Sequence, residues 1–240
     1  MSDTSTARRG SYASEAMLKR RADILAHART LITESGGDDF SLSELAKRAG
    51  VAITTIYGAF GDKEGVITNA IEEFHLNLGP PPSGRAPDLL GLLRGIDRAA
   101  DRILAYPAYC RVVSDLYVAR TARGGLHAML KGMNDALCQS WLEHRAQAGD
   151  LVEGLSIEPV LWEVSNALWS TVRDWASGRL ADEDLCDAMK LSLLVILSGA
   201  TKGRTRVQVL KRLAACRGAT DDRRSVTAGA GRRGVKTLMS

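Results

Sequence analysis

Between Gly50 and Phe60 the chain reads GVAITTIYGAF, where the groups able to do chemistry are two threonine hydroxyls and one phenol. On a helix Ile56 and Phe60 stand four apart and share a face, and Val51 leads into that face from the turn. Ile53, Thr54, Thr55, Tyr57, Gly58 and Ala59 then fall on or beside the opposite side, which carries no charged residue. A helix with small residues, hydroxyls, methyls and a phenol on its outer side is thin enough to enter the major groove of duplex DNA. Those are the groups that bond phosphates and base edges there.

Such a face needs elements to hold it. The preceding stretch, FSLSELAKRAG, has Ser41 and Glu44 at capping-box spacing, each expected to satisfy the other's backbone N–H. Leu42, Leu45, Ala46 and Ala49 give the helix behind that cap an apolar stripe, and Ala46 is small enough for a close helix crossing. Gly50 stops this helix and supplies the positive φ that a tight turn requires. After the quoted segment Asp62 is the expected N-cap of another helix, GDKEGVITNAIEEFHLNL. A buttressing helix is expected from about 15 to 34, with Met17, Leu18, Ile24, Leu25, Ala28, Leu31 and Ile32 on one side and Gly36-Gly37 ending it. Two short helices about a glycine turn, braced by a third, make a helix-turn-helix.

Helical periodicity continues through the chain and strand signals are scarce, so the fold class is all-α. Further helices are expected near 88–105, 107–123, 125–148, 157–177 and 181–199, with a weaker one near 204–216. Pro107, directly after Tyr106, should separate two of them and could couple the parts on either side. Five divisions follow: a flexible N-terminal arm at 1–14, a helix-turn-helix domain at 15–78, a Pro/Gly linker (GPPPSGRAPD) at 79–88, a helical domain at 89–216 and a disordered basic tail at 217–240.

Charge is unevenly spread. Residues 201–240 hold 11 Lys/Arg against 2 Asp/Glu, whereas residues 1–79 hold 9 against 11 and residues 80–200 hold 12 against 15. The net charge of +4 therefore comes wholly from the last forty residues and is no argument by itself for a nucleic-acid partner. The tail is either a solvated end or a source of non-specific DNA affinity through counterion release. Its Gly229-x-Gly231-x-x-Gly234 spacing lacks the strand and helix that a dinucleotide site needs. The longest apolar run, Leu191 to Leu197, is far short of the ~20 residues that span a bilayer. The N-terminus has no apolar signal core, so a cytoplasmic protein with no membrane partner is expected.

Enzymatic signals are missing. No G-x-S-x-G, H-E-x-x-H or P-loop occurs, and the sequence marks no obvious catalytic acid partner for His27, His75, His127 or His144. Cys110, Cys138, Cys186 and Cys216 are isolated, which gives neither a metal site nor a disulfide framework. No catalytic residue, metal or cofactor is expected. In EPVLWEVSNALWSTVRDW the apolar residues cover more than half of the helix, and in LCDAMKLSLLVILSG they run nearly all the way round. A helix apolar on two sides needs two surfaces to pack on. Its own domain supplies one; a second copy of the chain, or a deeper burial within one protomer, supplies the other.

The stretch FSLSELAKRAGVAITTIYGAFGDKEGVITNAI resembles the DNA-binding region of TetR/AcrR-family transcriptional regulators, in the order sLseLAkrAGVa…tiY…F.dKe.vi at matching spacing. The likeness covers about residues 15–75. It implies an all-α, tetracyclin-repressor-like homodimer with an N-terminal helix-turn-helix domain and a C-terminal effector-binding and dimerisation domain. By position, the resemblance implies phosphate contacts from Thr55, Tyr57 and Lys63 and base contacts from Ile53, Thr54 and Gly58, with Ser43 and Ala59 also at the DNA. Arg8, Arg9, Lys19 and Arg20 could add contacts from the arm. The sequence departs from the family pattern at Ala52, where a capping Ser is frequent, at Ile53, and at Gly58-Ala59; methyl contacts and DNA shape are then expected to carry more of the readout. The resemblance further implies a four-helix bundle from helices near 157–177 and 181–199 of each protomer. It implies an effector pocket whose candidate lining includes Tyr106, Tyr109, Tyr117, Met129, Met133, Trp141, Trp162 and Trp169. The expected function is regulation of transcription, as a repressor released from a palindromic operator in double-stranded DNA by a small molecule. The alternative is a DNA-organising or interaction factor without an effector response.

Overall fold

The structure, a computed structural model, describes residues 4–37, 39–76, 88–118 and 124–216. The start of the expected arm, nearly all of the expected linker and the whole of the expected tail lie outside them, as do the side chains of Arg8, Arg9 and Met133. The described residues are helical, and their β-structure is limited to one isolated antiparallel bridge between Leu151 and Thr201.

Two compact units divide the chain. The first joins Met1–Pro82 to Pro107–Leu130. Its helices are α1 (Thr4–Ser35), α2 (Leu42–Ala49), α3 (Ile53–Phe60), α4 (Lys63–Leu76) and α6 (Pro107–Val118). Ile24, Leu25, Ala28, Leu31 and Ile32 of α1 close on Leu45 and Ala46 of α2, Ile56 and Phe60 of α3, and Val66, Ile67, Ala70 and Ile71 of α4, all buried. Burying one such aliphatic side chain contributes roughly 1.5–3 kcal/mol, enough for eight-residue helices that could not persist alone. α6 joins this core through Val113 and Leu116 and through Tyr109, whose ring lies 4.9 Å from that of Phe74.

Two details depart from expectation. Met17 and Leu18, expected on the buried side of α1, are exposed at 67% and 60%. The helix starts at Thr4, and residues 15–20 are all exposed, the first half-buried position after them being Arg21. The capping box forms by half: the Ser41 hydroxyl accepts from the Glu44 N–H at 3.0 Å, but the Glu44 carboxylate accepts from Arg48 Nε at 2.9 Å. Arg48 also bonds Glu34 of α1 at 2.7 Å, so the glutamate serves a link between α1 and α2. These partners hold the Glu44 carboxyl below its ordinary pKa and the Arg48 guanidinium above its own.

The second unit joins Ser83–Tyr106 to Lys131–Ser240. Here α5 (Leu89–Ala105), α8 (Ile157–Ala176) and α9 (Asp182–Ala200) pack together, with α9 between the other two. A tenth helix, α10, covers 203–216. α7 (Gly124–Gln147) runs from the first unit's sequence into the second's. Asp88 caps α5 by accepting from the Gly91 N–H at 2.5 Å. α5 closes at Tyr106, and Pro107 opens α6 at the position where its missing N–H costs nothing. The second unit's end is tied by Asp150, whose carboxylate accepts from Thr205 Oγ1 at 2.8 Å and from Arg145 at 3.1 Å.

Candidate nucleic-acid interface

The turn between α2 and α3 is set by Gly50, at φ 63°. The Gly50 N–H bonds the Lys47 carbonyl at 3.3 Å and the Val51 N–H bonds the Ala46 carbonyl at 3.0 Å, a paired closure of the α2 C-terminus that needs the left-handed residue between them. α3 follows after two residues. Its N-cap, Ala52, makes no side-chain capping bond.

α3 separates cleanly into two sides. Ile56 is fully buried and Phe60 nearly so, while Ile53, Thr54, Tyr57, Gly58 and Ala59 are exposed, Tyr57 by 51%. A Cβ added at Gly58 would meet nothing within 4 Å, so the middle of the outer face stands open. Ser43 on α2 is exposed as well. Thr55 is half-buried and lines a groove of about 500 Å³ with Ala52 and Gly50 from the turn and Lys19, Arg20 and Asp23 from α1. That groove brings two cations of α1 beside the start of α3.

Lys63 opens α4, half-buried, with its ammonium 5.1 Å from the centre of the Phe40 ring. The contact orients the side chain at the helix N-terminus, where both its charge and the helix dipole favour an anion. Asp62 caps the same helix, as expected, by accepting from the Gly65 N–H at 2.8 Å. Gly65 is indispensable to this corner, because a Cβ there would lie 1.9 Å from the Phe60 carbonyl oxygen.

Sequence reasoning missed Arg21. From α1 it donates to the Ala59 carbonyl at 3.0 Å and to Asn69 Oδ1 of α4 at 2.5 Å, and its guanidinium sits 4.5 Å from the Phe60 ring centre. It thereby fixes the C-terminal end of α3 against both supporting helices. Its partners lie 38 to 48 residues away, so no local pattern marks it. Arg29 adds a second tie from α1 to α4 by a 2.5 Å bond to Glu73.

The aromatic residues expected around an effector are distributed between the two units. Tyr109 is buried and Tyr117 half-buried in the first. In the second, Trp141 is buried, Trp169 half-buried, and Tyr106 and Trp162 are each 49% exposed. Burial raises the Tyr109 hydroxyl pKa well above the usual phenol range. Most of the apolar arc of α8 (Val160, Leu161, Val164, Leu168, Val172 and Trp175) is buried. On α9, Ala188, Leu191, Val195, Ser198 and Gly199 lie half-buried to exposed at helical spacing, Val195 by 52%.

Residues 24–70 match the family described as bacterial regulatory proteins, tetR family. No curated protein matches the chain in sequence. Among solved structures, TylP, a TetR regulator from Streptomyces fradiae, superposes with a TM-score of 0.57 at 19% identity, over 85% of this chain and 98% of its own. SmeT, the repressor of the Stenotrophomonas maltophilia multidrug efflux pump SmeDEF, gives 0.58 at 16% identity, over 77% of this chain and 92% of its own. FadR from Bacillus subtilis, solved with stearoyl-CoA, gives 0.55 at 23% identity, over 74% and 98%. At such identities the structures speak for the fold, while the family match covers the helices that carry the exposed face of α3. Residues 24–70 therefore belong to the tetR family of bacterial regulatory proteins, and the chain as a whole has the fold of that family's DNA-binding transcriptional regulators.

Proposed function

We propose that this chain is a homodimeric repressor that holds a palindromic DNA operator through α3 and releases it when a small molecule binds the helical domain at 89–216. The observation that carries the reading is the division of α3, with Ile56 and Phe60 locked inward and Ile53, Thr54, Tyr57, Gly58 and Ala59 presented outward. Thr55, Tyr57 and Lys63 take the phosphate contacts, Lys63 with the help of the α4 N-terminus. Ile53 and Thr54 read thymine methyls and base edges, and Gly58 keeps the helix low enough to approach them. Ser43 and Ala59 border the contact, and Lys19 and Arg20 flank it from α1.

Dimerisation proceeds through α8 and α9, where the row from Ala188 to Gly199 supplies small and apolar residues for a second copy. Two copies of α3 then meet successive major-groove faces about one helical turn apart. Naming of similar folds as efflux-pump repressors, and the stearoyl-CoA complex of FadR, support repression and an effector with apolar character for this chain also. Such a protein acts without catalysis in the cytoplasm, where the DNA is.

The test measures binding of the purified chain to its own upstream region alongside unrelated DNA. Tyr57→Ala and Lys63→Ala should weaken both by a similar factor, each losing a phosphate contact. Thr54→Ala should change the ratio between them. Unchanged affinity in all three variants would overturn the assignment of α3. Operator affinity that no small molecule alters would leave the DNA contact standing and remove the effector.

A further inference from the structure

The face of α10 turned away from its own core has the pattern of a helix-pairing seam. Toward the core, Thr205 and Val209 are buried and Leu213 and Cys216 half-buried, a stripe with helical spacing. On the other side, Val207 is 66% and Leu210 43% exposed, and Ala214 continues the row. The intervals from 207 to 210 to 214 are three and four. That is the a/d spacing of a coiled coil, and the three positions lie within about 60° of the helix circumference at 100° per residue.

The positions bordering the row are cationic. Arg204 and Lys211 stand on one side of it and Arg206 on the other, at the places that correspond to e and g. Residues 202–216 hold five Lys/Arg and no Asp or Glu. We propose that α10 is a docking surface for an acidic amphipathic helix of another protein, with apolar residues on its a/d row and Glu or Asp on the flanks.

The same features argue against other occupants. A second copy packed on this row would set Arg204, Arg206 and Lys211 against their own counterparts, which is unfavourable at e and g. A membrane surface calls for a broad apolar face with aromatic or several large aliphatic residues. This row is narrow and has one Leu, one Val and no aromatic residue. DNA phosphates would use the cations and have no need of the seam between them.

The experiment uses the full chain and a fluorescent 28-residue peptide of four heptads, with Leu and Ile at a and d and Glu at e and g, read by anisotropy. A twin peptide with Lys at e and g is the control. The Glu peptide should bind and the Lys peptide should not. Leu210→Asp should weaken binding at least tenfold with no fall in the melting temperature, because the side chain is exposed. The triple variant Arg204→Glu, Arg206→Glu, Lys211→Glu should exchange the preference for the two peptides. Operator affinity should stay the same throughout, which separates this surface from the DNA contact. The proposal is overturned if neither peptide binds, if both bind alike, or if Leu210→Asp has no effect. It is equally overturned if Leu210→Asp instead abolishes attachment to phosphatidylglycerol vesicles, or converts a dimer to a monomer in sedimentation.

Discussion

Gly58 and Gly65 lie seven residues apart and have opposite surroundings. A methyl group at Gly65 runs into the Phe60 carbonyl, whereas one at Gly58 meets open space. Gly65→Ala should therefore destabilise the first unit by about 1–3 kcal/mol, the usual range for overpacking against backbone. Gly58→Ala should leave stability level or raise it by up to about 1 kcal/mol through helix propensity, while weakening DNA binding by filling the outer face. Thermal melts of the two variants, paired with their DNA affinities, give this contrast directly. Equal melting temperatures would contradict the geometry at Gly65. The inward pair Ile56 and Phe60 was legible because helical period is a local property. The need for glycine at 65 was not, since it arises from a carbonyl in the preceding turn. Arg21 was hidden for a related reason: its partners come from two other helices, and only folding brings them together.

Between elements, the second unit holds a polar link suited to titration. Asp97 of α5 accepts from the Lys190 ammonium of α9 and, at 3.2 Å, from the Cys186 thiol. Burial works to raise the Asp97 pKa, but the bonds from Lys190 and Cys186 and the nearby cations outweigh it and hold the group below the ordinary carboxylate value. A carboxylate with a depressed folded-state pKa stabilises the fold above its unfolded pKa of about 3.9 and loses that contribution as pH falls through the lower folded value. Asp97→Asn should accordingly melt a little below the parent at pH 7, and the two curves should converge as pH drops below about 4. Solvent screening keeps the difference modest, because the Asp97 side chain is 44% exposed. A gap that persists at pH 2.5 would mean that packing, and not charge, distinguishes the variants. Helix positions past residue 88 were readable from periodicity to within a residue or so at most ends. The beginning of α1 was not, since Met17 and Leu18 satisfy the apolar period yet lie where no neighbour covers them.

At the level of the molecule, the apolar surplus on α8 and α9 was visible in sequence, but its division between core and exposed surface was not. Most of the α8 arc turns inward, and the row along α9 from Ala188 to Gly199 is what remains for the second copy proposed above. Val195→Asp should convert the proposed dimer to a monomer in sedimentation equilibrium and reduce operator affinity by well over tenfold, because each protomer would then hold only one half-site. A variant that stays dimeric would move the interface elsewhere. The most direct test of the central claim, that the outer face of α3 reads duplex DNA, is selection of sheared genomic DNA on the immobilised full-length chain at moderate salt. Enrichment of a few fragments sharing an inverted repeat, with half-site centres about 34–36 Å apart, is the expected result. A retained pool no richer in any sequence than the input would contradict it.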